Sequence, residues 1–306
     1  MAEVGLVKFA AVALEIASAA VPRYRTSRSK HVFTQPQLLA LLLLMRYEDW
    51  TFREAEVRLK EHSDLRQALG LVRVPDHTAL YKFMRRLDER VLDGALEQTV
   101  RLMPPPPSGG AVVAVDTTGL EACSVSTYFV RRFGGERSYK HFLTYGAAVD
   151  TRTLTIRAQT VSRGPGGDSK LLPVLVKAAL RCGPVGVVVA DAGFDSHANH
   201  RFIREKTGAL SVIRPGKGRP GDGAHGVRAE MKSSFPKKVY GRRSLIETVF
   251  SMIKRKLSPR APGRLEATRR LQALLLGVAF NVYRLKLCLF TRPQQLHTSP
   301  AQTAPQ

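Results

Sequence analysis

The sequence predicts an α/β protein in which an all-α N-terminal module precedes a second domain built on a mixed five-stranded sheet flanked by helices. Three observations predict it. From Leu6 to about Met103 the apolar residues follow helical periodicity, with few β-branched runs. Pro104 to Pro107 followed by Ser-Gly-Gly is a stiff and then flexible break. Beyond it, short β-branched runs alternate with helical stretches in the order βββαβαβ, and helices close the chain.

In the first module, 1–106, Thr34 with Pro36 in the following turn marks one helix start, and Thr51 answered by Glu54 marks another. Trp50 and the run Leu38 to Leu44 read as core, and that run is too short to span a membrane. Asp76 is placed to cap a helix carrying Lys82, Arg85 and Arg86. A short helix, a turn and a second basic helix fit a helix-turn-helix, so 51–90 is a candidate DNA contact. The same residues also read as an amphipathic helix with Leu80, Phe83, Met84 and Leu87 in the core and its cations solvated.

In the second module, 107–290, strands are expected over Ala111 to Val115, His141 to Val149, Thr153 to Val161, Val185 to Ala190 and Ala209 to Ile213. Asp168 and Asp195 read as helix N-caps. Residues 215–238 are basic, rich in Gly and Pro and without periodicity, which predicts a mobile loop. Helices follow from about Arg242 to Leu257 and Arg264 to Phe290, and the polar tail 291–306 is expected to be disordered.

Composition narrows the function. The 306 residues hold 48 Lys+Arg against 25 Asp+Glu, a formal net charge of +23, which calls for a polyanionic partner. Hydrophobic residues make up 44% of the chain, enough for packed domains rather than a basic tail. Three cysteines, Cys123, Cys182 and Cys288, lack CxxC spacing, so neither a disulfide framework nor a zinc site is suggested, and a cytoplasmic protein is expected. The apolar N-terminus is interrupted by Glu3 and Glu15, against a signal peptide.

Three acids carry the chemistry. Asp116 ends Val112-Val-Ala-Val-Asp, and Asp191 ends Val187-Val-Val-Ala-Asp, so each follows an apolar strand. Ligands bind beyond the carboxyl ends of strands in open α/β sheets, and adjacent first and fourth strands would bring the two together. Glu247 lies on a helix where Arg243, Glu247 and Lys254 fall within about 40° of one another, with Tyr240 close by. Hard divalent cations need carboxylates converging from separate elements. Taken alone, Asp116 and Asp191 could be turn residues, and Glu247 a solvated partner of Arg243. Lys140 and His141, before the second strand, are weaker candidates for DNA contact.

Tyr240, Arg243, Glu247 and Lys254 match at all four positions the Y-(2)-R-(3)-E-(6)-K signature, and the chain resembles the insertion-sequence DDE transposases. With the segments around Asp116 and Asp191 the resemblance covers 111 to about 290, to the bacterial insertion-sequence four-like/five-like group; the N-terminal helices before Pro75-Asp-His-Thr-Ala-Leu also resemble those of the insertion-sequence five-like branch. The resemblance implies an RNase H-like catalytic domain that cuts transposon ends and joins them to target DNA. It implies two Mg²⁺ or Mn²⁺ ions held by Asp116, Asp191 and Glu247, with Tyr240, Arg243 and Lys254 on DNA phosphate. The partners expected are double-stranded DNA, as terminal inverted repeats and target, and a second copy of the chain assembled on it, in the nucleoid and without a membrane. A transposase-derived DNA-binding protein that does not cut is the alternative.

Overall fold

The computed structural model describes residues 5–26, 28, 32–122, 142–164, 166, 168–216 and 225–290, with side chains to 285 in the last helix. Lys140, His141, residues 217–224 of the expected loop and the tail 291–306 lie outside the described residues.

Six helices come first: α1 (Leu6–Ala20), α2 (Gln35–Glu48), α3 (Phe52–Glu61), α4 (Ser63–Ala68), α5 (His77–Arg85) and α6 (Glu89–Arg101). Their starts follow local chemistry. Thr34 and Gln37 form a reciprocal capping box on α2, Thr51 and Glu54 form one on α3, and Asp76 accepts from the Ala79 N–H to cap α5. Among the described residues no helix is long and apolar enough to cross a membrane.

The sheet contains β1 (Ala111–Glu121), β2 (Phe142–Asp150), β3 (Thr155–Arg163), β4 (Val185–Ala190) and β5 (Leu210–Ile213), in the order β3-β2-β1-β4-β5. β1 is antiparallel to β2 and parallel to β4, so the first and fourth strands are neighbours, as expected for a shared site. Helix α7 (Leu171–Leu180) covers one face with Val113, Val115, Val188 and Ala190 beneath it. The other face, with Ala114, Leu120, Tyr145 and Val189, joins a core that continues into the N-terminal helices.

Helix α12 (Glu266–Phe290) is the joint between the two parts, packing on β3 and on α1, α2 and α6. The Asn281 carboxamide donates to the Thr99 hydroxyl at 2.8 Å and to the Ile156 carbonyl at 2.8 Å, tying α12 to α6 and β3. Gly277 is required by proximity. A Cβ there would lie 2.3 Å from the Tyr145 hydroxyl oxygen and 2.0 Å from Gln159 Oε1.

Three expectations change. The segment 215–238 is not wholly loop, because α9 (Gly226–Ser233) and α10 (Lys237–Tyr240) occupy its described second half. Arg228 and Met231 are the buried residues of α9, so an ionic anchor replaces the apolar periodicity that sequence reading looks for. Asp168 does not cap α7, whose N-cap position is Lys170 without a side-chain bond. The helix α8 (His197–Arg201) is capped by Ser196, while the Asp195 carboxylate turns inward to Arg228.

Candidate active site

Strand alternation decides which side chains meet. Asp116 follows Val115 by one residue, so it lies on the face of Ala114, and Asp191 lies on the face of Val189. That face is covered by α11 (Ser244–Met252), which carries Glu247 and packs on β1. Val115 pairs with Ala190, so the two aspartates are the next residues on adjacent strands, which lie about 4.8 Å apart. Asp116 is not at a strand end as the sequence suggested. It sits in the middle of β1, at the point where β4 stops and β1 continues against β2 alone.

Arg243 links the acids. Its guanidinium donates to Asp116 Oδ2 at 3.2 Å and to Glu247 Oε1 at 2.5 Å. The Tyr240 ring lies under it, 6.0 Å from the guanidinium carbon. The Lys254 ammonium reaches across to the Thr118 hydroxyl at 2.7 Å. Lys254 belongs to a π-helical segment, Ile253–Leu257, that extends α11, so its direction departs from the regular 100° spacing. An open cleft of about 410 Å³ lies here, lined by Asp116, Thr117, Thr118, Glu247, Phe250, Ser251, Lys254 and Arg255.

Burial dominates the electrostatics of Asp116 and pushes its carboxyl up to about 6. The Thr117 N–H, at 2.8 Å from Oδ1, opposes the shift; Asp191 and Glu247 raise it further, and Arg243 lowers it. Asp191 and Glu247 are therefore near enough to repel the Asp116 charge. Asp191 also accepts from the Gly193 N–H at 2.9 Å, and Glu247 is also the helix partner of Arg243, so the plainer readings of both residues hold beside the site reading.

Among the described residues no three His, Cys, Asp or Glu side chains are grouped closely enough to hold one metal ion. The donor chemistry nevertheless fits a cation, because Asp116 and Glu247 already converge on the charge of Arg243. Sequence reading missed Thr117, whose hydroxyl donates to Asp168 Oδ2 at 3.0 Å from the opposite face of β1. It also missed Ser251 and Arg255, whose signal was present as the positions flanking Lys254 on the same helix. Lys82 and Arg85 on α5, and Arg86 at its C-cap, are exposed, with Leu80 and Met84 buried beneath them.

The chain is similar to a piggyBac transposase synaptic complex with hairpin DNA, solved by electron cryomicroscopy, at 10% identity and a TM-score of 0.49 over 92% of this chain and 74% of that one. Comparison with curated proteins finds no match. The family described as "Transposase DDE domain" matches residues 107–282, more than half of the chain and the whole of the sheet with its three acids. The chain belongs to the transposase DDE domain family.

Proposed function

We propose that this protein cleaves DNA at the ends of a mobile element and transfers the freed 3′ ends into target DNA, using Asp116, Asp191 and Glu247 to hold two Mg²⁺ or Mn²⁺ ions. The observation that carries the reading is the meeting of Asp116 with Glu247 through Arg243, beside Asp191 on the adjacent strand. Bound divalent ions supply a lowered water pKa and charge neutralisation at the leaving 3′ oxygen.

The side chains divide the remaining work. Asp116 receives the Thr117 N–H, which fixes one carboxylate oxygen and leaves the other turned to the cation position. Arg243 leaves the carboxylates and takes a DNA phosphate, for which its planar fork suits bidentate contact. Lys254 exchanges the Thr118 hydroxyl for a second phosphate oxygen. Tyr240 backs Arg243 and limits its swing. The exposed cations of α5 hold the duplex outside the cleft, and two copies of the chain assemble on paired inverted repeats in the nucleoid.

Cleavage of a labelled duplex carrying the element's own ends, with Mg²⁺ or Mn²⁺, tests the reading. Wild type nicks at the end, while Glu247→Gln binds the same duplex without cutting. If both proteins bind and neither cuts with either ion, a DNA-binding protein without cleavage takes the place of the enzyme.

A further inference from the structure

The ladder between β1 and β4 ends at the pair Val115 and Ala190, one residue before Asp116 and Asp191. Past that pair a continuing ladder no longer holds the chain leaving β4 against β1, so the separation of the two acids needs another constraint.

That constraint lies on the back of the sheet, away from Glu247. Thr117 points to this face; its hydroxyl donates to Asp168 Oδ2 at 3.0 Å while its N–H donates to Asp116 Oδ1 at 2.8 Å. Asp168 opens a 3₁₀ turn, Asp168–Lys170, that leads into α7. The next residue, Ser169, accepts from Asn199 Nδ2 at its carbonyl, 3.1 Å, and at its hydroxyl, 2.9 Å. The same Nδ2 reaches the Phe194 carbonyl at 2.9 Å. Phe194 ends the 3₁₀ turn Ala192–Phe194, which Asp191 caps: the Phe194 N–H donates to the Asp191 carbonyl at 3.2 Å and the Gly193 N–H to Asp191 Oδ1 at 2.9 Å. A continuous path of hydrogen bonds and short turns thus joins Asp116 to Asp191 behind the sheet.

Asn199 is the crossing point of this path. It is 3% exposed, and its own N–H donates to Ser196 Oγ at 3.1 Å. A buried polar network engaged in this way selects one arrangement of the chain. The other bonds around the acids run elsewhere: Asp195 goes to Gly216 and Arg228, and on the front Arg243 joins Asp116 to Glu247.

We propose that Asn199 and Asp168 are positioning residues for the metal site, which act through Phe194 and Thr117 to fix the separation of Asp116 and Asp191 and so the spacing of two divalent ions. Two ions that share one phosphate stand about 3.5–4 Å apart, and ligands must be held to within about 0.5 Å for such a site to work. The inference rests on the proposed function for the ions, while the path of bonds stands apart from it.

Mn²⁺ titration of the full chain without DNA, followed by electron paramagnetic resonance, reads both affinity and the magnetic coupling between two bound ions. Thr117→Val removes the hydroxyl at nearly constant shape, and Asn199→Ala removes the carboxamide. Each weakens Mn²⁺ binding about 10-fold or more and lowers the coupling. Thr117→Ser keeps the donor and Asp168→Asn keeps an acceptor oxygen, so both bind as wild type does. Unchanged affinity and coupling in Thr117→Val and Asn199→Ala overturn the inference. An Asp168→Asn variant that loses an ion as Asp116→Asn does makes Asp168 a ligand and overturns its positioning role. If circular dichroism shows Asn199→Ala unfolded, Thr117→Val decides. Exchange of the Phe194 amide, measured by nuclear magnetic resonance without metal, accelerates in both variants and reads the tie separately. Wild type that takes up no Mn²⁺ while this exchange still accelerates removes the two-ion reading and leaves the tie; unchanged exchange beside two coupled ions removes the tie alone.

Discussion

The Arg243 guanidinium stands 3.2 Å from the Asp116 carboxylate and bonds Glu247 with its other terminal nitrogen. One positive group thus fills the position in which two carboxylates converge, and under the proposed function the same group is the one that would take DNA phosphate. On that proposal a cation and a phosphate would compete for one arrangement of this side chain.

Arg243→Gln separates the two roles. Without DNA, removal of the guanidinium frees both carboxylates, and Mn²⁺ binding measured by electron paramagnetic resonance tightens by about 5- to 10-fold. Cleavage nevertheless falls by about 10²-fold or more, because a positioned donor to phosphate is lost. Unchanged Mn²⁺ affinity in the variant rules out Arg243 as the group that holds the cation position.

Asp116→Asn tests the cost of the site. The folded carboxyl, pushed up to about 6 chiefly by burial, lies above its ordinary value of 3.8. Its stabilising contribution is fully present below 3.8 and is lost as pH rises through about 6. The neutral amide keeps that contribution, so at pH 8 the variant is more stable by about 1–2 kcal/mol, after allowance for a partly screened side chain. Thermal melts at pH 8 and pH 4 check this, and a variant no more stable at pH 8 than wild type contradicts it.

The parts of the site that the sequence revealed are those encoded locally. Tyr240, Arg243 and Glu247 lie within eight residues of one another, so helix geometry alone puts them on one edge. Asp116 and Asp191 were legible because each closes an apolar strand run, although the continuation of β1 to Glu121 was not, since Thr117 to Glu121 lacks β-branched density after Thr118. The partnerships that were missed are nonlocal. Asp168 with Thr117 spans 51 residues and Asp195 with Arg228 spans 33, and in both the carboxylate looked like a helix cap because capping needs only its immediate neighbours. Trp50, read as core, is half-buried and also walls a cavity that only the tertiary fold creates.

Asp195 is the anchor of α9. Its side chain is 2% exposed, takes Arg228 Nη2 at 3.0 Å and the Gly216 N–H at 2.9 Å, and stands 3.4 Å from His200 Nε2. It follows Asp191 by four residues, so it fastens α9 to the loop that leaves β4 at the site. Asp195→Ala leaves a buried guanidinium without its carboxylate, a loss of about 3–5 kcal/mol. Amide hydrogen exchange across 226–233 accelerates in the variant well beyond the rest of the chain. Exchange that rises uniformly, or not at all, shows that α9 is held by something else.

The cations of α5 distinguish a DNA contact from a solvated helix face. Leu80 and Met84 fill the core side and Lys82, Arg85 and Arg86 face outward, so the packing alone is compatible with either. Counterion release separates them, because each phosphate contact adds about 0.9 to the slope of log K against log salt on duplex DNA. Replacing Lys82, Arg85 and Arg86 together by Gln removes no core contact, and if all three meet phosphate the slope falls by about 2 to 3 while sequence preference is kept. A weakened affinity with an unchanged slope is not phosphate contact, and it returns these residues to the solvated face of an amphipathic helix.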